Sequence, residues 1–207
     1  MDPELLKQAI QKDKKEGNIP AGIIAATGGT SSGSCDSISL IGDIAAKENL
    51  YLHVDAAWAG SAMICEEFRN LWTGIEKADS IVFNPHKWLG AQFDCSVQFL
   101  KDPSIQKNTL SISPEYLKTK GIDGIINLSD YTIQLGRRFR SLKLWFLIRS
   151  EGMSGLKKVI RNHVNWTEDF YHKIKKLDKI EIVTPPILSL FTFRFVKEGV
   201  KNLDELN

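Results

Sequence analysis

Two segments decide the fold: His53-Val54-Asp55-Ala56-Ala57-Trp58, and Phe83-Asn84-Pro85-His86-Lys87-Trp88, whose lysine follows Asp55 by 32 positions. Each segment ends a short apolar run of the kind that forms a buried strand. A strand-helix-strand crossover takes about 30 residues or more, so the spacing fits one such unit. In parallel sheets, ligands collect beyond the carboxyl ends of the strands. We therefore expect one carboxylate and one amine to face a common site at the sheet edge.

The rest of the chain alternates between strand-like and helix-like segments. Strands are predicted at 21–26, 51–54, 80–83 and 95–100, and helices after Asp2-Pro3, at 38–48 and around 66–71. This alternation predicts an α/β fold, a mostly parallel sheet with helices on its faces.

The later part of the chain has a different pattern. Residues 108–131 show little periodicity, which is typical of a long functional loop such as a lid. Two helices are predicted next, one reaching about Arg149 and one from near Ser154 to about Lys176. Strands at 180–183 and 188–195 follow, with Pro185-Pro186 breaking the chain between them. We predict a partial large domain at 1–177 and the start of a small domain at 178–207.

Composition limits the class of protein. The chain has 207 residues, 43% hydrophobic and 25% charged, with a net charge of +2. These values are ordinary for a globular protein and give no electrostatic case for nucleic acid or an anionic membrane. Cys35, Cys65 and Cys95 lie far apart without metal-ligand spacing. We expect free thiols in the cytoplasm, no metal, and neither a signal peptide nor a membrane span.

The paired amine and carboxylate point to one cofactor chemistry. An amine forms a Schiff base with an aldehyde, and a buried carboxylate keeps a heteroaromatic nitrogen protonated. Pyridoxal 5'-phosphate (PLP) requires this pairing from its protein. Taken singly, a lysine after a strand is usually a solvated surface residue, and a strand-end aspartate often caps a turn. Pro85, Trp88 and the apolar surroundings indicate a dry setting for Lys87, in which desolvation favours the neutral, nucleophilic amine.

Three motifs in order resemble a known family. They are His53-Val54-Asp55-Ala56-Ala57-Trp58-Ala59-Gly60, Asn84-Pro85-His86-Lys87-Trp88 and Leu135-Gly136-Arg137-Arg138-Phe139-Arg140-Ser141-Leu142-Lys143. Together they resemble the group II PLP-dependent decarboxylases, and within these the aromatic-L-amino-acid decarboxylases, over about residues 2–195. The resemblance implies an aspartate-aminotransferase-like fold, a homodimer with sites at the subunit interface, and release of carbon dioxide from an aromatic L-amino acid to leave an amine.

The same resemblance implies catalytic roles for three residues. Lys87 matches the Schiff-base lysine, and Asp55 matches the aspartate that keeps the pyridine nitrogen protonated. Tyr116, in Ser113-Pro114-Glu115-Tyr116-Leu117, aligns with a lid tyrosine that returns a proton to the substrate carbon. Relatives with phenylalanine at that position tend towards aldehyde formation.

Four further residues match the family's cofactor pocket. Thr30 falls on a pocket threonine, and Asn84 on a residue near the phosphate. His86 matches the histidine before the lysine, a hydrogen-bonding partner within the site. Ala57 matches a position packed against the ring, where a larger side chain would clash. Gly29 departs from the family pattern, because relatives more often carry a hydroxyl residue there.

Other interpretations remain open at this point. Family chains are longer at both ends, and their upstream histidine and phosphate loop have no counterpart here. We therefore expect a fragment, and the alternative function is a truncated, non-catalytic remnant that binds PLP weakly or pairs with a full-length relative. Nucleic-acid binding through Arg137, Arg138, Arg140 and Lys143 is disfavoured, because apolar residues share their helix. Gly136 favours a catechol, indole or phenol substrate over imidazole, but tyrosine, dopa, tryptophan and 5-hydroxytryptophan are not separated.

Overall fold

A computed structural model describes residues 1–111, 126–200, 202–205 and 207. The helices are α1 (Pro3–Lys15), α2 (Ile38–Glu48), α3 (Pro103–Leu110) and α4 (Arg140–Ile174). The strands are β1 (Gly22–Ala26), β2 (Tyr51–Asp55), β3 (Ser80–Phe83), β4 (Val97–Leu100), β5 (Ile180–Ile187) and β6 (Leu190–Phe195). Short 3₁₀ segments occupy Ala59–Ile64, Glu66–Trp72, Ile75–Lys77 and Leu128–Tyr131.

The main sheet has the strand order β1-β2-β3-β4. The first three strands are parallel and β4 is antiparallel to β3. Ala26 of β1 is level with Asp55 of β2, which is level with Val82 of β3. The predicted α/β fold with a mostly parallel sheet is therefore confirmed, and three strands deliver their following loops to one edge.

Local sequence explains where the first two helices begin and end. The Asp2 carboxylate caps α1 by accepting hydrogen bonds from the backbone N–H groups of Glu4 (2.7 Å) and Leu5 (3.1 Å), and Pro3 begins the first turn. Helix α2 ends at Asn49, whose left-handed backbone (φ 54°) stops the helix. Its buried residues, Ile38, Ile41, Ile44 and Ala45, repeat at helical spacing. Burial of each isoleucine contributes about 1.5–3 kcal/mol.

Only one face of the main sheet is covered in the described part of the chain. Leu52 and Val54 on the inner face are fully buried beneath α2 and the 3₁₀ segments. The alternate residues Ile24 and Tyr51 face outward and are 68% and 39% exposed. Among the described elements, α2 and the 3₁₀ segments pack on the inner face, while these outward side chains stay exposed.

Helix α4 matches the two helices predicted for this region. Its backbone leaves helical geometry at Gly152 (φ 66°, ψ 168°), which separates an N-terminal half from a C-terminal half. The C-terminal half packs Leu156, Ile160 and Val164 into the core. Among the described residues, no helix is long and apolar enough to cross a membrane.

The last two strands form an antiparallel hairpin that packs on α4. Phe191 of β6 lies 5.8 Å from Phe170 and 5.7 Å from Tyr171 between ring centroids. Contrary to prediction, Pro185-Pro186 does not divide the strand, since β5 runs through both prolines. They fit because the register is irregular between Thr184 and Ile187 and no ladder pair forms there. The domain boundary at 177/178 stays a prediction.

An ion-pair cluster fastens Glu66–Trp72 to the C-terminal half of α4. Arg161 makes a two-point contact with Glu67, with Nε 2.5 Å from Oε1 and the second nitrogen 3.1 Å from Oε2. Lys157 Nζ donates to Glu66 at 2.6 Å. The Arg161 hydrogen bonds lower the pKa of Glu67 from 4.5 to about 2. The carboxylate is therefore bound in its charged form.

Replacing Glu67 with glutamine tests this cluster through pH. Because the folded-state pKa is below the unfolded value, the stabilisation is complete above pH 4.5 and is lost as the pH falls towards about 2. We expect Glu67→Gln to lower the melting temperature at pH 7. The difference in melting temperature between the variant and wild type should become smaller below pH 4.5. Thermal unfolding followed by circular dichroism measures it. Glu198→Gln, at an exposed position, is the control, and a gap independent of pH would contradict the interpretation.

Candidate active site

A chain of backbone hydrogen bonds joins the segments that follow the parallel strands. Thr27 N–H donates to the Asp55 carbonyl (2.9 Å), and the Asp55 carboxylate accepts from Ala57 N–H (2.9 Å). Asn84 N–H then donates to the Ala57 carbonyl (2.8 Å), and Lys87 N–H to the Asn84 carbonyl (2.9 Å). The carboxylate of Asp55 and the turn that carries Lys87 are thus tied together through Ala57 and Asn84.

The expected burial of the pair is not observed. Asp55 and Lys87 are both exposed, so the predictions of a buried carboxylate and a dry lysine are wrong for the described part of the chain. The physical reason is that Asp55 shares the outer sheet face with Ile24 and Tyr51, and no described element covers that face. Among described residues, the Lys87 side chain forms no hydrogen bond or ion pair, so its amine is open to a ligand.

The neighbours of Lys87 are held by the segment leading into β4. The Asn84 side-chain oxygen accepts a hydrogen bond from Ser96 Oγ at 2.7 Å. His86 Nδ1 lies 2.7 Å from the Cys95 carbonyl oxygen and 3.0 Å from the Cys95 backbone nitrogen. Phe93 packs edge-on against the imidazole, with the ring centroids 4.8 Å apart. These contacts occupy Nδ1, while no described residue bonds Nε2.

The glycine-rich loop after β1 packs closely on the turn that follows β2, and this contact brings the loop to the site. Gly28 has φ +82°, and a Cβ there would lie 2.5 Å from Ala59 Cβ and 2.8 Å from Trp58 Cε3. Only glycine fits both the backbone angle and the gap. The N–H groups of Gly28 and Gly29 both donate to the Ser34 carbonyl, at 3.0 and 2.9 Å. Thr30 lies exposed within this loop.

These residues provide groups that fit PLP. Lys87 provides an unpartnered amine, and Asp55 has one carboxylate oxygen that no described residue bonds, while Ala57 fixes the other. Small Ala57, half-buried beside them, leaves room for a ring. Tyr116 lies outside the described residues, so its predicted role stays a prediction. Within the described ranges, no group of three or more histidine, cysteine or acidic side chains is arranged to hold a metal.

Comparison with known proteins assigns the chain to a family. Residues 1–196 match the pyridoxal-dependent decarboxylase conserved domain. The chain belongs to this family. It is 43% identical to a phenylacetaldehyde synthase of Arabidopsis thaliana over 94% of the chain and 40% of that protein. It is 42% identical to an aromatic-L-amino-acid decarboxylase of Mus musculus over 100% of the chain and 42% of that protein.

Solved structures of the family have the same fold. A tryptophan decarboxylase from Catharanthus roseus, in complex with L-tryptophan, has a TM-score of 0.91 and 37% identity. It is matched over 100% of this chain and 44% of its own. A rice structure with PLP and tryptamine also has a TM-score of 0.91, with 38% identity over 94% of this chain and 40% of its own. The resemblance to PLP-dependent decarboxylases and the cofactor class are thereby confirmed, and the chain spans about two fifths of its relatives' length.

Some residues around the site were not found by sequence reasoning. Trp58 stacks on Trp88, with ring centroids 5.0 Å apart and planes 18° apart. The Trp88 indole N–H donates to His163 Nδ1 at 3.0 Å. His163 is 75 positions from Trp88 and carries no signal beyond helical spacing, so only the tertiary structure reveals the contact.

The basic residues near the start of α4 also have partners within the chain. Arg140 Nε lies 3.0 Å from the Asp94 carboxylate, and Lys143 Nζ lies 3.0 Å from the Asp94 carbonyl. The hydrogen bond from Arg140 lowers the pKa of Asp94. Burial raises the pKa of the Cys95 thiol, so this sulfur is a packed side chain rather than a nucleophile. The contacts of Arg140 and Lys143 with Asp94 support the segment that holds His86. The expected absence of nucleic-acid binding stays a prediction.

Replacing Gly28 with alanine tests the close approach of the loop to the Asp55 segment. We expect the free energy of unfolding to fall, because the new methyl group overlaps Ala59 and Trp58. Gly17→Ala is a matched control, since Gly17 has a similar φ (+83°) but no atom within 4 Å of the built Cβ. The control should lose about 1–2 kcal/mol from the backbone angle alone. Gly28→Ala should lose about 1–3 kcal/mol more from overpacking; equal losses in urea unfolding would exclude the packing explanation.

Proposed function

We propose that the chain carries part of the active site for PLP-dependent removal of carbon dioxide from an aromatic L-amino acid, giving the amine. One observation carries this proposal: the hydrogen-bond chain that ties the Asp55 carboxylate to the Lys87 turn at the carboxyl edge of the sheet. In a member of the decarboxylase family, this arrangement pairs an acid and an amine where a cofactor ring would lie.

Each site residue has a defined task in this proposal. PLP, when bound, supplies an electron sink for the electron pair left by departing carbon dioxide. The Lys87 amine is the group that would hold the cofactor aldehyde covalently until a substrate amine takes its place. Asp55 holds a proton on the ring nitrogen through its unbonded oxygen, while Ala57 N–H fixes the other oxygen. The carboxylate is therefore oriented before any ligand arrives.

The other matched residues hold the cofactor. Asn84 and the Thr30 hydroxyl are proposed to bind it through hydrogen bonds. His86 has its Nδ1 occupied by the Cys95 backbone, which leaves Nε2 as the ring nitrogen that would contact the cofactor. Asn84 keeps its side-chain NH₂ available because Ser96 bonds its oxygen.

The substrate class follows from the relatives rather than from a pocket. Several matched relatives are named for aromatic amino acids, among them an aromatic-L-amino-acid decarboxylase and a tryptophan decarboxylase, and one solved relative holds L-tryptophan. We propose a homodimer in the cytoplasm. The exposed aromatic side chains Phe139, Trp145 and Phe146 support the dimer, and three free cysteines support the compartment.

A second candidate function rests on the exposure of the site. Because Asp55 and Lys87 are open to solvent, the chain alone provides little of the water-excluding environment that speeds such chemistry. The alternative is a non-catalytic chain that binds PLP weakly or completes its site by pairing with a full-length relative. It predicts cofactor attachment without turnover.

Replacing Lys87 with alanine tests the cofactor attachment. We expect the 207-residue chain mixed with PLP to develop a visible absorption band, and borohydride reduction to fix the cofactor on the peptide containing Lys87. Lys87→Ala should abolish both signals, because the variant lacks the amine that is proposed to hold the cofactor. Lys101→Ala, an exposed lysine beyond β4, should leave them unchanged. A band that survives in Lys87→Ala would contradict the assignment of the attachment residue.

Replacing Tyr116 with phenylalanine tests which product forms. A phenol returns a proton to the substrate carbon, and its loss should lower the rate of amine formation about 100-fold or more. In air-saturated buffer, where dissolved oxygen is the oxidant and ammonia and hydrogen peroxide are the co-products, we expect aldehyde to become the larger share of product. Chromatography of the reaction with L-tryptophan, L-tyrosine and L-dopa measures it. Tyr131→Phe is the control, since Tyr131 lies beside α3. An unchanged amine-to-aldehyde ratio in Tyr116→Phe would remove the proposed role.

A further inference from the structure

Lys87 and Trp88 are adjacent in sequence but lie on opposite sides of their segment. Lys87 is exposed, whereas Trp88 is only 8% exposed and belongs to the hydrophobic core. One face of its indole stacks on Trp58, which follows Asp55 by three positions and packs on Gly28. Trp88 therefore anchors the lysine segment to the two other segments of the site.

The indole N–H of Trp88 has a single acceptor within the described residues. His163 Nδ1, on the C-terminal half of α4, accepts this hydrogen bond at 3.0 Å. An indole N–H donates only to a nitrogen with a free lone pair, so the contact requires that Nδ1 carry no proton. Tryptophan has no second polar atom, so losing the acceptor leaves a buried donor unpaired.

The backbone of His163 is also fixed. Thr167 Oγ1 donates to its carbonyl at 2.9 Å, and the neighbouring Val164 is buried in the core. The imidazole is tilted against Trp166, with ring centroids 5.4 Å apart. His163 therefore holds a defined position from which its nitrogen sets where the Trp88 ring lies.

We propose that His163 is a positioning residue for Lys87, acting through the Trp88 indole. The inference rests on the proposed function, because it concerns the direction in which Lys87 presents its amine to PLP. Without the acceptor, the indole shifts towards water to satisfy its N–H. The adjacent Lys87 then samples more orientations, and fewer of them place the amine near the Asp55 edge.

Two substitutions of His163 separate the hydrogen bond from the packing. His163→Phe keeps a ring but removes the acceptor, whereas His163→Asn retains an acceptor close to the position of Nδ1. We expect the rate at which borohydride-trapped PLP appears on Lys87 to fall about tenfold in His163→Phe, as for loss of one hydrogen bond. His163→Asn should restore most of that rate.

A double-mutant cycle with Trp88→Phe tests whether the effect passes through the indole. Trp88→Phe removes the donor, so no buried N–H is left unpaired, and the group that loses its partner is Nδ1 of the half-buried His163. In that background, His163→Phe should cause no further loss of trapping rate. Additive losses would show that His163 acts by another route. Glu168→Gln, at an exposed position of the same helix, is the control that should leave the rate unchanged.

Amide hydrogen exchange of the cofactor-free chain supplies an independent readout. The Lys87 N–H bonds the Asn84 carbonyl, so exchange in residues 84–88 reports how firmly the segment is held. We expect faster exchange there in His163→Phe, with β1 and β2 unchanged, and recovery in His163→Asn. Exchange that rises throughout the chain while trapping stays at the wild-type rate would reveal a purely structural role and overturn the proposal.

Failure of the proposed function and failure of the His163 positioning role give different experimental results. If wild type traps no PLP on Lys87, the proposed function fails, and exchange in 84–88 still decides whether His163 anchors the segment. If wild type traps PLP and His163→Phe matches it in both measurements, the proposed function stands and the positioning role is refuted. Should His163→Phe not fold, His163→Leu compared with His163→Asn gives the same decision, since His163→Leu also lacks an acceptor for the Trp88 indole N–H.

Discussion

The hydrogen bond from Asn84 N–H to the Ala57 carbonyl, at 2.8 Å, is the contact on which the site depends. It lies just beyond the last paired residues of β2 and β3, where the sheet no longer dictates the path of either chain. Through it, the turn bearing Lys87 is fixed relative to the carboxylate of Asp55. Ser96, Cys95 and the aromatic stack then hold the side chains around this junction. The sheet aligns the ends of the strands, and this hydrogen bond fixes the Lys87 turn relative to the Asp55 carboxylate.

Much of the fold followed from local patterns, and the reasons for failure are physical. Helix α2 matched prediction because its buried residues repeat at helical spacing, and strand β3 matched because it is a short apolar run that ends just before Asn84. The exposure of Asp55 and Lys87 was missed because burial depends on what lies over a sheet face, which no local pattern encodes. The break predicted at Pro185-Pro186 was wrong because a strand tolerates proline where its register is irregular. The bond between Trp88 and His163 joins residues 75 positions apart, and spacing rules do not reach that far.

The open outer face and the site belong to one surface. Ile24 and Tyr51 lie on the same face as Asp55, and all three are exposed. Apolar side chains in such a position favour association with another protein surface. A surface that covered them would also remove water from the carboxylate, which strengthens its electrostatic interaction with any bound cation. Association and site chemistry are thus coupled by geometry, whichever segment provides the cover.

The interruption of α4 at Gly152 divides the support of the lysine segment between two bodies. The N-terminal half reaches Asp94, next to the residue that holds His86, through Arg140 and Lys143. The C-terminal half reaches Trp88 through His163. If α4 were continuous, its two halves would move together, and so would the two contacts that support the Lys87 segment. Because the helix is interrupted at Gly152, each half packs against its own part of the Lys87 segment. A displacement at the Asp94 contact therefore need not reach the Trp88 contact through α4.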